Sequence, residues 1–118
     1  MNRIPELDAD QIARLNEWGG PELQRKMIHL FLTHAAERVD QIRDALHKEN
    51  AAQAETGAHT LKSSAGNVGA QRVQRLAQDA ETLAEAGDLQ ELSRLFPDLE
   101  AEFRAACDAL QAVLEGIE

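Results

Sequence analysis

His59 and Lys62 stand three residues apart in the run Ala58-His59-Thr60-Leu61-Lys62-Ser63-Ser64-Ala65-Gly66-Asn67-Val68-Gly69-Ala70. Imidazole is a competent nucleophile in its neutral form, which is available near pH 7. On a helix turning about 100° per residue, Glu55, Thr56, Lys62, Ser63 and Gly66 fall within about 60° of His59. Ala54, Gly57, Leu61, Ser64 and Val68 fall on the far side, flanked by Ala58 and Ala65. One face is therefore small and mostly apolar, suited to close packing between helices. The other carries one imidazole, a cation one turn away and almost no bulk. This suits a nucleophile that must meet another macromolecule and hold an anion. Ser63 and Gly66, about 40° and 20° from His59, are small enough for a partner's backbone to come close.

Other chemistries fit less well. His29, His34 and His47 have no surrounding pattern and read as solvated surface groups. Di-iron bundles use paired Glu-x-x-His motifs. Here Glu55 and His59 are four apart with no second copy, and His29 and His34, five apart, diverge by about 140° on a helix. No metal site is expected. Gly57 to Ser63 resembles a phosphate-binding loop only superficially, because Leu61 stands where that motif needs Gly before Lys, and the context is helical. No ATP site, and so no autonomous kinase activity, is expected.

The residues His59, Leu61, Lys62, Ser63, Ser64, Ala65, Gly66, Val68 and Gly69 resemble the signature of histidine-phosphotransfer (HPt) domains. Ser63 stands where many members carry glycine, and serine also fits the pattern. The resemblance implies a histidine phosphocarrier of a multistep phosphorelay, with His59 phosphorylated and Lys62 neutralising the phosphoryl group. Glu81 matches a position where relatives often carry Gln or Glu near the histidine. The implied partners are receiver domains of response regulators or hybrid sensor kinases, which would supply Mg²⁺; no cofactor is expected on this chain. One alternative is a substrate domain phosphorylated directly by an ATP-dependent histidine kinase. Another is a helical adaptor with an inert His59. Dimerising kinase bundles tend to have an acidic residue after the histidine and a proline shortly behind. Here Thr60 follows His59, and no proline lies between Pro21 and Pro97.

The flanking sequence must position this stretch, and its period is helical. Asp8 and Gln11 open a short helix over about 9–18, ended by Gly19-Gly20-Pro21. A long helix over about 21–48 places Leu23, Met27, Leu30, Phe31, Ala35, Val39, Ile42 and Leu46 inward. Asn50 and Gln53 form a capping box for the helix carrying His59, which Gly66-Asn67-Val68-Gly69 loosens or ends. Gly57 faces its core side, where a neighbouring helix must approach closely. A fourth helix over about 70–86 buries Val73, Leu76, Ala80 and Leu83. Gly87 caps it, and Asp88 to Glu91 is another capping box. The last helix runs to about residue 114 through Leu92, Leu95, Leu99, Phe103, Ala106, Leu110 and Val113. Pro97 is expected to kink it, the alternative being a break into two helices. Short connections favour antiparallel neighbours. The expectation is an all-α, up-down-up-down antiparallel four-helix bundle over about 21–115, with the short additional N-terminal helix packed on one end.

At 118 residues, 1–118 reads as a single domain with one core. Cys107 is the only cysteine, which rules out an internal disulfide and fits a reducing compartment. No membrane-spanning run or secretory signal is evident, and a cytoplasmic, monomeric, stand-alone protein is expected. The net charge of −9 argues against nucleic acid as a partner. Its distribution is uneven: residues 21–75 hold eight basic and six acidic groups, whereas 76–118 hold two basic and eleven acidic. His59 lies in the only segment that is not acidic, which would ease the approach of an anion.

Overall fold

A computed structural model describes residues 6–117. Helix α1 (Ala9–Leu30) starts at Asp8, whose carboxylate accepts the Asp10 N–H at 3.0 Å. Its helical path is interrupted at Gly20, with φ 70° and ψ −169°. Only glycine enters that region without strain, and Pro21 restarts the helix where its missing N–H is not needed. One π-helical turn, Phe31–Ala35, joins α1 to α2 (Ala36–Lys48). The remaining helices are α3 (Ala51–Asn67), α4 (Gln71–Glu85) and α5 (Leu89–Ile117). Together the path from Pro21 to Lys48, α3, α4 and α5 make the four-helix bundle.

The π turn was not expected; no hydrophobic period signals one. Leu30, expected inward, is exposed. Leu30 and Phe31 are adjacent and cannot share one face. Phe31 takes the inward place, its ring 5.6 Å from that of Phe103. Ile28 and Ala45 are buried in addition to Phe31, Ala35, Val39 and Ile42. On α5, Phe96 and Leu114 are buried, whereas their neighbours Leu95 and Val113 are only partly so. Pro97 sits inside an uninterrupted helix, so the broken alternative is excluded.

The caps are simpler than capping boxes. Asn50 Oδ1 accepts from Gln53 N–H, and Asp88 Oδ1 accepts from Glu91 N–H. The return bond is missing in each case. Gln53 instead donates to the Gln41 carbonyl and to Asp44 on α2, while Gln41 donates back to the Gln53 carbonyl at 3.2 Å. Glu91 pairs with Arg94. Gln11 donates to the Asn67 carbonyl at the end of α3, 3.1 Å away. These side chains join one helix to another or brace their own helix, rather than closing their own caps.

α3 packs most extensively on α4 and next on α2, while α5 closes against α4, α1 and α2. Both helices bury small residues, Ala54, Ala58 and Ala65 on α3 and Ala77, Ala80 and Ala84 on α4, and small side chains permit close approach of helices. Gly57 meets α2, where a Cβ would stand 3.1 Å from Ile42 Cγ1. Leu61, on the inward face, is fully buried, which stabilises the fold by about 2 kcal/mol. The N-terminal segment closes the far end of α3. Leu7 forms an antiparallel bridge with Ala70, and Asp8 N–H donates to the Gly69 carbonyl at 2.7 Å. Among the described residues no helix is long and apolar enough to cross a membrane.

Candidate functional site

The inward pull of Leu61, Ala58 and Ala65 turns His59 outward, with 62% of its side chain exposed. Packing of α4 against α3 brings Glu81 over the same face. Its carboxylate spans two partners: Oε2 lies 2.7 Å from His59 Nδ1, and Oε1 lies 2.6 Å from Lys62 Nζ. Lys62 Nζ also donates to Gln78 Oε1 at 3.1 Å. Glu81 is only 15% exposed and Lys62 26%. The Lys62 ammonium, and after it the His59 ring, hold the Glu81 carboxyl below the usual carboxylate range, against the opposing effect of partial burial.

This arrangement settles the histidine tautomer. An ionised carboxylate offers only acceptors, so Nδ1 must carry the proton of the neutral ring. Nε2 then keeps its lone pair. Glu81 therefore orients the ring and leaves the other nitrogen available as a nucleophile. Lys62 has three N–H donors and spends two of them on Gln78 and Glu81. Among the described residues nothing takes the third, which can meet an anion.

The other residues expected near the site divide. Ser63 is exposed, and its hydroxyl makes a long contact of 3.4 Å to the His59 carbonyl within α3. Glu55 is half-buried one turn before His59 and takes no part in the Glu81 network. Gly66 does not border open space. A Cβ there would lie 2.8 Å from Gln74 Nε2, so the glycine makes room for a side chain of α4. Gln78 and Gln74 were not anticipated. Their shared signal is the series Gln71, Gln74, Arg75, Gln78, which follows one face of α4 at three- and four-residue steps. Cys107 is no competing nucleophile, because burial pushes its thiol up to about 11.

Residues 26–113 match the family described as the Hpt domain. The chain belongs to the Hpt domain family. Its fold is similar to that of histidine-containing phosphotransfer protein B (HptB) from Pseudomonas aeruginosa PAO1, with a TM-score of 0.89 and 24% identity, over 96% of this chain and 97% of that one. Among curated proteins no sequence relative matched. An Hpt domain is the histidine phosphocarrier of a phosphorelay, a phosphotransfer intermediate that works with kinases and receiver domains. In this Hpt domain, the exposed imidazole and its carboxylate partner come from α3 and α4, two helices that pack extensively on each other.

Proposed function

We propose that His59 is the phosphoryl carrier, taking the group from an aspartyl phosphate on a receiver domain and returning it to another. The single observation that carries this is the His59 Nδ1–Glu81 contact on an otherwise exposed ring. Nε2 attacks phosphorus, the N–P bond forms, and the P–O bond to the aspartyl carboxylate breaks with its electron pair. The ring gains positive charge as Nε2 gives up its lone pair. The Glu81 carboxylate stabilises that charge through Nδ1–H. The third N–H of Lys62 stabilises charge on the phosphoryl oxygens, where most of the demand in phosphoryl transfer lies. Because Nδ1 keeps its proton, the phosphorylated ring is cationic and leaves phosphorus as neutral imidazole, a good leaving group, so transfer runs in both directions. Mg²⁺, when bound by the receiver, neutralises further charge on the phosphoryl group.

The partners on this reading are receivers of response regulators or hybrid sensor kinases, met by a monomer in the cytoplasm. The lack of an internal disulfide fits that compartment. His59→Gln should abolish acid-labile labelling from a phosphorylated receiver, with a melting temperature close to wild type. A labelled His59→Gln protein would assign the carrier elsewhere. Mg-ATP alone should leave the wild-type protein unlabelled. Stoichiometric label on His59 without another protein would favour direct kinase chemistry.

A further inference from the structure

Lys62, Gln71, Gln74, Arg75 and Gln78 line a groove of about 300 Å³ between α3 and α4. Among the described residues no carboxylate lines it, in a chain whose net charge is −9. The acidic residue Asp79, one turn after Arg75 on α4, lines a separate groove with Glu91, Arg94 and Asp98 of α5. On the α3 side of α4 the carboxylate of Glu81 is taken up by His59 and Lys62, and Arg75 adds a further cation beside the glutamine amides. Arg75 is exposed and makes no ion pair or hydrogen bond with a described residue. The groove is continuous with the His59 site, because Lys62 and Gln78 belong to both. Gly66 gives Gln74 its seat over α3, so the glycine shapes this groove.

We infer that this groove is where the receiver domain docks one anionic loop bordering its reactive aspartate. This deepens the phosphocarrier reading above and rests on it. Charge complementarity identifies the occupant. Carboxylate or phosphoryl oxygens pair with Lys62 and Arg75, and a main-chain group pairs with the exposed Gln74 amide, which serves as donor and acceptor alike. An apolar segment would bring no charge to meet the exposed Arg75 guanidinium. An unpaired cation at the rim of an acidic protein acts mainly on encounter, drawing the anionic loop toward His59 rather than toward the acidic α4–α5 groove.

The test uses the full chain, a receiver domain that exchanges phosphate with the wild-type protein, and phosphoramidate as a small donor that needs no docking. Arg75→Glu should slow association with the receiver about tenfold at low salt. The deficit should nearly vanish near 1 M salt, where the Debye length falls to about 3 Å. Arg75→Gln should show a smaller loss. Phosphoramidate should still label His59 in both. Arg94→Glu, in the α4–α5 groove, should associate as wild type. Wild-type association by Arg75→Glu at low salt, or an equal loss in Arg94→Glu, overturns the docking assignment. The carrier reading fails separately, if His59→Gln takes label from either donor.

Discussion

The Glu81 carboxylate reaches 22 residues back along the chain to Nδ1 of His59, 2.7 Å away. It is the same arrangement by which a buried acid holds a catalytic histidine in one tautomer and steadies the imidazolium that forms. In this protein the acid is shared, because its second oxygen holds Lys62. The site is thus one unit of three residues, and each can be removed separately.

Glu81→Ala should slow phosphotransfer by about tenfold, and Glu81→Gln should lie between it and wild type. The amide oxygen still accepts from Nδ1–H but carries no charge to stabilise the ring. Nitrogen-15 spectra should show the His59 tautomers mixing in the alanine variant. A single Nδ1–H tautomer in Glu81→Ala would mean that another group orients the ring.

Acid should dismantle the unit in a definite order. Glu81 titrates below its ordinary value of 4.5, mainly because of Lys62. A carboxyl lowered by folding contributes stability that is complete above its unfolded value and is lost as pH falls through the lowered one. The ion pair should therefore persist through pH 5, weakening only below the ordinary carboxylate range. Denaturant unfolding of wild type and Glu81→Gln across pH 3–7 checks this. Their difference in stability should be constant above pH 5 and shrink toward the acid limit.

Lys62→Ala should slow transfer severalfold while leaving the fold intact. At about 4 Å a unit charge pair is worth roughly 1–4 kcal/mol for effective dielectric between 80 and 20. The partial exposure of Lys62 places the effect toward the lower end. Transfer rates at two ionic strengths measure it, and rates equal to wild type at both would make Lys62 a partner of Glu81 alone.

Ser63→Gln tests how close the receiver comes. Ser63 is exposed, and its one contact, to the His59 carbonyl, is long. Replacement by a good helix former should shift stability by no more than about 0.5 kcal/mol. Receiver affinity and transfer should fall further than that, since misplacing the reacting atoms by about 1 Å can cost on the order of 100-fold in rate. Calorimetry and quenched transfer on one sample decide the point.

The two glycines at the end of the motif should behave oppositely when changed to alanine. Gly66 has no left-handed backbone, and its new Cβ would meet only the mobile end of Gln74. Gly66→Ala should be nearly neutral in stability, because helix propensity offsets the displaced amide. Gly69 has φ 73°, and a Cβ would lie 2.9 Å from the Asp8 carbonyl oxygen. Gly69→Ala should destabilise by about 1–2 kcal/mol from the left-handed strain alone. Urea titrations separate the two.

The helical bundle was legible because Leu61, Val73, Leu92, Leu99 and Leu110 recur at helical spacing and do fill the core. So was the outward position of His59, which follows from the small apolar residues opposite it. The π turn at Phe31–Ala35 was not legible, since it adds a residue to one turn without disturbing the apolar stripe on either side. The roles of Gln53 and Gln11 were misread for a general reason. Spacing within one helix shows where a side chain starts, but not whether a neighbouring helix offers a better acceptor. The pairing of Lys62 with Glu81 and Gln78 is of the same kind, for it depends on how α3 and α4 are set against each other. Family resemblance placed Glu81 near the histidine, but the chain alone could not say which nitrogen it would hold.

The side-chain bonds at the two ends of α3 have a mechanical consequence. At its start, Gln53 and Gln41 are stitched reciprocally across to α2; at its finish, Gln11 grips the Asn67 carbonyl and the N-terminal segment latches onto Gly69. A helix pinned at both ends can neither slide along its axis nor roll about it without breaking bonds at one end. Rolling by a single residue step, about 100°, would carry His59 off Glu81 altogether. His59 is thus mounted on a fixed shaft, and on the proposed reading whatever adjustment an encounter requires falls to the visiting domain.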